Sequence, residues 1–308
     1  YIVTVSETVW RDQMKLLTLN THSLAEPEYE KKAEIFWKAL LKERPDVMAL
    51  QEVNQTAGGE KVPVKELLAS GYTACPGESP AVVRDNHGFR TAAWLAENGF
   101  PCFWAWAPAK LGYGRYDEGT AIFSRRPIQN LSAGYITETK DYKNWKTRKA
   151  LGIKTETEAG NGWFFSLHMG WWKDEEEPFS RQWTALSEIT DPLRKEGDVW
   201  LMGDFNSPAQ IKDEGYDCIR RDGWEDAYAL AQEKGGDITV FGAIDGWRDR
   251  GVPDKLRMDF IWHGAPDKGN GWIVRRAGTV FDGNVYPAVS DHFGVAAEYE
   301  RRDGSDGS

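Results

Sequence analysis

Residues 200–207 read WLMGDFNS, and the reading of this stretch decides the fold. The apolar residues Trp200, Leu201 and Met202 run into Gly203 and then into Asp204, Phe205 and Asn206. A short apolar run closed by a glycine predicts a strand buried on both faces. In extended chain, residues i and i+2 share a face, so Asp204 and Asn206 stand side by side where the strand leaves its sheet. A carboxylate and an amide there build a poor core. They are well placed to hold a water molecule and a phosphate.

Segments on either side follow a related pattern. KLLTLN (15–20) and DVMALQEV (46–53) predict buried strands. Between them EYEKKAEIFWKALLKER (28–44) puts Ile35, Phe36, Ala39 and Leu40 on one helical face and stops before Pro45. TAIFSRRPI (120–128), WFFSLHM (163–169), MDFIWHG (258–264) and GVAAEYE (294–300) predict further strands, and SRQWTALSEITDPLRK (180–195) a helix. Residues 208–256 read as loop-rich, with a short helix near EDAYALAQEK. Apolar strands with helices between them predict two packed sheets covered by helices. One domain over 14–302 is expected, with 1–13 as an extension and the DGSDGS tail (303–308) as linker-like chain.

With 308 residues, 41% hydrophobic and 28% charged, the chain is expected to carry a sizeable core. No apolar run reaches the roughly 18 residues of a membrane span. The start, YIVTVSETVWRDQ, lacks the basic and apolar regions of a secretory signal. Cys75, Cys102 and Cys218 are odd in number and widely spaced, so neither a disulfide framework nor a CxxC site is expected, which suits the cytoplasm. A net charge of −10 disfavours a nucleic-acid partner. No obligate protein partner is indicated. Of the fifteen tryptophans most are expected in the core, while Trp171 and Trp172 in HMGWWKDEEE suit a rim that stacks on a ligand. Trp104, Trp106 and Trp247 also stand in polar surroundings.

Polar residues interrupt or end the apolar strands at several places. They are Asn20 in LLTLNTH, Glu52 in MALQEVN, Tyr116 and Glu118 in GRYDEGTAIF, His168 in FFSLHMGWW, and Asp291 with His292 in VSDHFG. Asp259 in LRMDFIW lies inside a strand, and a buried Asp needs a partner or gives up its charge. Carboxylates and amides are the hard oxygen donors that Mg²⁺ prefers. Histidines with acids at hand can donate hydrogen bonds to phosphoryl oxygens.

In LNTH, LQEV, DEGTAIFSRRPI, LHMG, GDFN, MDFIW and SDH, taken in order over about residues 14–300, the chain resembles the endonuclease/exonuclease/phosphatase superfamily. That resemblance implies an α+β fold, a four-layer αββα sandwich of two central mixed β-sheets flanked by helices, with the site where the sheets open. It implies Glu52 as the principal Mg²⁺ ligand, with Asn20 and Asp291 in support and Mn²⁺ as an alternative ion. It implies Asp204 orienting or deprotonating the attacking water and Asn206 holding the phosphate. His168 and His292 would contact the phosphoryl group, oriented by Glu118 and Asp259 respectively, with Tyr116 and Arg148 as further phosphate contacts. Direct displacement by water is expected, since no GxSxG-like nucleophile context exists.

FWAWAPAKLGYGRYDEG (103–119), HMGWWKDEEEPFSRQW (168–183) and TVFGAIDGWRD (239–249) resemble a bacterial subgroup that includes maltose-6′-phosphate phosphatases. The expected substrate is a small phosphorylated metabolite, a sugar phosphate such as maltose 6′-phosphate. The alternatives are a DNA or RNA phosphodiesterase and, from another class, a non-catalytic carbohydrate-binding protein. The acidic run Asp174 to Glu177 reads as a solvated loop that would repel a nucleic-acid backbone.

Overall fold

A computed structural model describes residues 13–77, 80–157, 159–241, 254–266 and 271–302. The expected 1–13 extension (apart from Gln13), the 303–308 tail and Trp247 lie outside the described residues. The chain opens with β1 (Gln13–Asn20), a helix (Tyr29–Glu43) and β2 (Val47–Thr56). Two helices (Val64–Ala69 and His87–Glu97) lead to the hairpin of β3 (Phe103–Gly112) and β4 (Tyr116–Ser124). Next come β5 (Ile128–Tyr135), β6 (Lys149–Thr157), β7 (Gly160–His168), a helix (Phe179–Glu196) and β8 (Val199–Asp204). Short pieces follow: a helix (Gly215–Arg221), β9 (Glu225–Asp226), a helix (Ala227–Leu230), β10 (Glu233–Lys234), β11 (Val240–Phe241) and β12 (Lys255–Leu256). β13 (Asp259–Gly264), β14 (Trp272–Val280) and β15 (Gly294–Arg301) close the chain.

Two mixed sheets result. One has seven strands in the order β10-β14-β15-β1-β2-β4-β3, the other six in the order β5-β6-β7-β8-β13-β9. Side-chain parity assigns their faces. Leu16, Val47, Ala49 and Ile122 of the first sheet pack against Phe164, Trp200, Met202 and Ile261 of the second. Their neighbours Leu17, Met48, Leu50 and Phe123 turn outward onto Phe36, Leu40 and Leu95 of the helices, and Phe165, Leu167 and Leu201 turn outward onto Phe179, Trp183 and Leu186. This is the α+β layered sandwich that the alternating pattern predicts.

The same parity aims the site. On β1 the inward series Met14, Leu16 and Thr18 ends at Asn20; on β8 Trp200 and Met202 lead to Asp204; on β7 Phe164 and Ser166 lead to His168. Beneath them Gln51 Nε2 donates to Ser166 Oγ at 3.1 Å, and Ser166 Oγ to the Leu50 carbonyl at 3.0 Å, tying the sheets together. Gly203 has φ of +148°, and a Cβ there would stand 1.9 Å from the Leu167 carbonyl oxygen. Only glycine lets β7 and β8 close up immediately before Asp204.

Two expectations need correction. TAIFSRRPI is not one strand: β4 ends at Ser124 and β5 begins at Ile128 in the other sheet, so the chain crosses between sheets at Arg125–Pro127. Trp104 and Trp106, by contrast, lie in β3 and are fully buried, as expected of most of the tryptophans. Glu177 is buried and accepts from the backbone N–H groups of Glu138 and Thr139, while Asp174 accepts from Lys146 Nζ. Those two acids build the loop that carries Trp171 rather than belonging to a solvated run.

Candidate active site

At the open end of the sandwich lies a cavity of about 300 Å³. Its lining includes Glu52, Glu118, His168, Asp204, Asn206 and His292, which come from far apart in the chain. The Oδ2 atom of Asp204 is the hub. It accepts from Asn20 Nδ2 at 3.2 Å and Asn206 Nδ2 at 3.3 Å, and it stands 3.6 Å from His168 Nε2 and 3.9 Å from His292 Nε2. Two imidazole nitrogens therefore flank one carboxylate oxygen just beyond hydrogen-bond distance. Asp204 Oδ1 accepts from the backbone N–H of Asn206 at 2.8 Å, which fixes the carboxylate's rotation.

Asp259 accepts from His292 Nδ1 at 2.9 Å, so the Asp inside MDFIW has its partner. Burial opposes charge on His292, but Asp259 and Asp204 outweigh it and hold the imidazole well above its ordinary range, as a cation. His168 goes the other way: burial, with the positive charges of Arg148, Lys110 and His292, holds it well below its ordinary range and neutral. Asp204 is pushed up to about 7, by burial first and by the charge of Asp259, against the lowering effect of His292. A cationic donor, a neutral imidazole and a carboxylate poised near neutrality thus share one point.

Glu52 enters the cavity through a defect in β2. The pairing with β4 slips between Leu50 and Val53, and Glu52 adopts a φ of +50°. A bulge of this kind re-aims a side chain, and a non-glycine residue in the left-handed region is strained, as functional positions often are. Asn20 Nδ2 donates to Glu52 at 2.9 Å. Burial and the charge of Glu118, then that of Asp291, raise the Glu52 carboxyl.

The structure separates several expected roles. Asn20 presents its amide nitrogen to Glu52 and Asp204, and its oxygen accepts from the His22 N–H. Among the described residues Glu118 makes no hydrogen bond to His168; it pairs with Lys110 Nζ at 2.9 Å. Tyr116 does not line the cavity, and its hydroxyl donates to the Leu24 carbonyl at 3.2 Å. Trp172 packs with Phe179 in the outer core, whereas Trp171 lines the cavity and donates Nε1–H to Asn206 Oδ1 at 3.2 Å. Arg148 lines it as well; its Nη1 donates to the Trp145 carbonyl at 2.7 Å and its buried Nε has no hydrogen-bond partner. Asp291 stands exposed at the rim.

Sequence reasoning missed His22, Lys110, Tyr113 and Trp145, all of which line the cavity. His22 follows Asn20 in the LNTH motif and was the available signal. Its Nδ1 pairs with Glu26 at 2.8 Å and its Nε2 with the Tyr113 hydroxyl at 3.0 Å. Burial opposes charge there, but the Glu26 hydrogen bond and the charges of Glu52 and Asp291 raise it to about 9. Trp145 is 49% exposed and meets Trp171 with ring centroids 5.2 Å apart.

Comparison with known proteins gives the chain's family and its likenesses in fold. Residues 17–292 match the profile described as the Endonuclease/Exonuclease/phosphatase family. No match was found among curated proteins. Among solved structures, a family protein from Leptotrichia buccalis C-1013-b is 25% identical with a TM-score of 0.77, over 94% of this chain and 100% of that one. The mannosyl-6-phosphatase Bt3783 of Bacteroides thetaiotaomicron VPI-5482 is 17% identical with a TM-score of 0.59, over 93% and 99%. The D. rerio TDP2 structure complexed with a single-strand DNA product is 13% identical with a TM-score of 0.60, over 94% and 99%. Those last two likenesses are of fold.

Proposed function

The chain belongs to the endonuclease/exonuclease/phosphatase family, a family of hydrolases acting on phosphoesters, and from that premise we propose that it is a Mg²⁺-dependent phosphatase of a small saccharide phosphate. The observation that carries the reading is the convergence of His168 Nε2 and His292 Nε2 on Asp204 Oδ2, at 3.6 and 3.9 Å. The donor set fits a divalent cation: Glu52 is a carboxylate raised by burial and by neighbouring acids, with no cation in ion-pair contact among the described residues. Glu52 and Asp291 would hold the ion, with Asn20 fixing Glu52. Such an ion supplies charge neutralisation at the phosphoryl oxygens and a more acidic bound water.

The protein's own groups do the rest. Asp204 orients the attacking water and takes its proton. His292, held cationic by Asp259, donates to a non-bridging oxygen, and Asn206 with neutral His168 completes the grip. Arg148 directs its guanidinium to the same group. No side-chain nucleophile is needed.

Support for a small substrate comes from the size of the cavity. At about 300 Å³ it stands at the lower end of ordinary small-molecule pockets, roughly 300–1,000 Å³. The indoles of Trp145 and Trp171 at its edge suit the apolar face of a sugar ring. Of the proteins alike in fold, the Bacteroides one is a mannosyl-6-phosphatase and D. rerio TDP2 is seen with a single-strand DNA product. The two substrate classes separate in one experiment: phosphate release from maltose 6′-phosphate and mannose 6-phosphate, against nicking of supercoiled plasmid, each with Mg²⁺ and with EDTA. Phosphate release that EDTA abolishes is the expected result. Rapid nicking with no phosphate released would assign a phosphodiesterase.

A further inference from the structure

No step above uses the pair of Lys110 and Glu118. Both side chains are buried, with Nζ and Oε1 2.9 Å apart. A lysine is among the residues least often buried, and it is buried only when paired. The backbone is deformed to put it there. Ala105 and Ala107 face the second sheet, and regular alternation would send Ala109 inward next and Lys110 outward. Instead the pairing of β3 with β4 slips between Pro108 and Lys110, and Lys110 sits opposite Glu118. Like the bulge at Glu52, this one re-aims a side chain into the cavity.

The four carboxylates that line the cavity differ in what they face. Asp204 faces two imidazoles and two amides, and Glu118 faces the Lys110 ammonium. Asp291 has His22 Nδ1 at 4.0 Å. Glu52 accepts a side-chain hydrogen bond from the Asn20 amide alone among the described residues and has no cation in ion-pair contact, though the charges of His22 and Lys110 reach it. Paired-metal sites place two ions roughly 3.5–4 Å apart across shared carboxylates. Here Glu118, whose charge reaches Glu52, already has the Lys110 ammonium at 2.9 Å. Burial and Arg148 lower that ammonium from its ordinary range and Glu118 supports it, and a second divalent ion would meet both Lys110 and Arg148.

We propose that Lys110 is a built-in cation that withholds Glu118 from the metal, so that the cavity takes one divalent ion, on Glu52 and Asp291, rather than two. The inference rests on the metal-dependent reading given above. It makes Lys110 a positioning residue and Glu118 its counter-charge. It also gives the bulge in β3 a purpose, since a regular strand would leave Glu118 open.

The test is Mn²⁺ binding to the full chain by equilibrium dialysis with metal analysis, on protein shown to be folded by circular dichroism. The wild type and Lys110→Arg are expected to bind one ion per chain. Lys110→Met is expected to bind a second, or to hold its one ion at least tenfold tighter because Glu118 has joined it. Glu118→Gln leaves the Lys110 ammonium without its counter-charge and is expected to keep one ion per chain with weaker affinity, while Lys110→Met with Glu118→Gln is expected to lose the second ion or the tighter binding that Lys110→Met alone gains. Two ions in the wild type, unchanged binding in Lys110→Met, or a gain in Lys110→Met that survives Glu118→Gln would each overturn the inference while leaving the metal-dependent reading intact. No Mn²⁺ bound by the wild type would overturn both.

Discussion

Strand β13 takes part in two histidine–aspartate pairs, each with a buried imidazole, that look alike and differ in what the other ring nitrogen faces. At its first residue, Asp259 accepts from His292 Nδ1 at 2.9 Å. Further along on the same inward face, His263 Nε2 lies 2.9 Å from Asp198 Oδ1. In both pairs burial opposes the charge on the imidazole and the aspartate raises it. The difference lies at the other ring nitrogen. His292 Nε2 points at Asp204 and the cavity. His263 Nδ1 points at Glu225, 3.8 Å away, and its ring is enclosed by Trp200, Trp272 and Tyr299. A charged pair with one nitrogen facing an open cavity can do chemistry; the same pair closed by aromatics holds a sheet together. The pair alone does not mark a site.

Substituting each aspartate should break the likeness. Asp259→Asn is expected to lower turnover by roughly 10² or more, the usual loss for a general-acid or donor group, with a thermal midpoint close to wild type. Asp198→Asn should do the reverse, leaving turnover within about threefold and lowering unfolding free energy by about 1–3 kcal/mol, the scale of an unpaired buried partner. Phosphate-release rates and urea unfolding on both proteins decide it. Equal losses of turnover would mean that the two pairs are not distinct in role.

The structural pair also has a pH signature. His263 is raised above its ordinary 6.5, so its contribution is complete below that value and is lost as pH climbs through the raised one. Asp198 is lowered from 3.8, so its contribution is present above 3.8 and is lost as pH falls through the lowered value. The stability gap between wild type and Asp198→Asn should therefore be widest between about 3.8 and 6.5 and narrow at alkaline pH. A gap that widened toward pH 9 would contradict the pairing.

Smaller effects sharpen the boundary of the site. Trp145→Ala should raise KM for a saccharide phosphate by about fivefold, a stacking contribution of roughly 1 kcal/mol, with little change in kcat on p-nitrophenyl phosphate. Tyr116→Phe removes a hydroxyl already used by Leu24 and should change kcat/KM by less than about threefold. A loss near 10² there would restore Tyr116 as a phosphate contact.

Asn20, His168, Asp204 and Asp259 were legible as polar residues that end or interrupt apolar strands, and the pairing of Asp259 with His292 followed from the family resemblance. Asp198 and His263 were not legible, since nothing in EGDVW or IWHG distinguishes a buried pair from a strand end. Where regular alternation fails, so does the reading. Lys110 and the aim of Glu52 depend on bulges, which leave no mark in local composition. Tyr116 and Glu118 share a face as spacing requires, but what each touches is set by neighbours far off in the chain, Leu24 and Lys110. The helix His87–Glu97 and strand β3 were missed because FWAWAPAKLG mixes aromatic, proline and lysine residues without a clear period.

The account as a whole turns on Asp204 as the meeting point of the two imidazoles. Its most direct test is the initial rate of phosphate release from a saccharide phosphate by Asp204→Asn, which keeps the side chain's shape and removes its charge, compared with wild type at saturating Mg²⁺. A fall of roughly 10² or more in kcat, with unfolding unchanged or stabilised, is the predicted result. A rate within threefold of wild type would contradict the account.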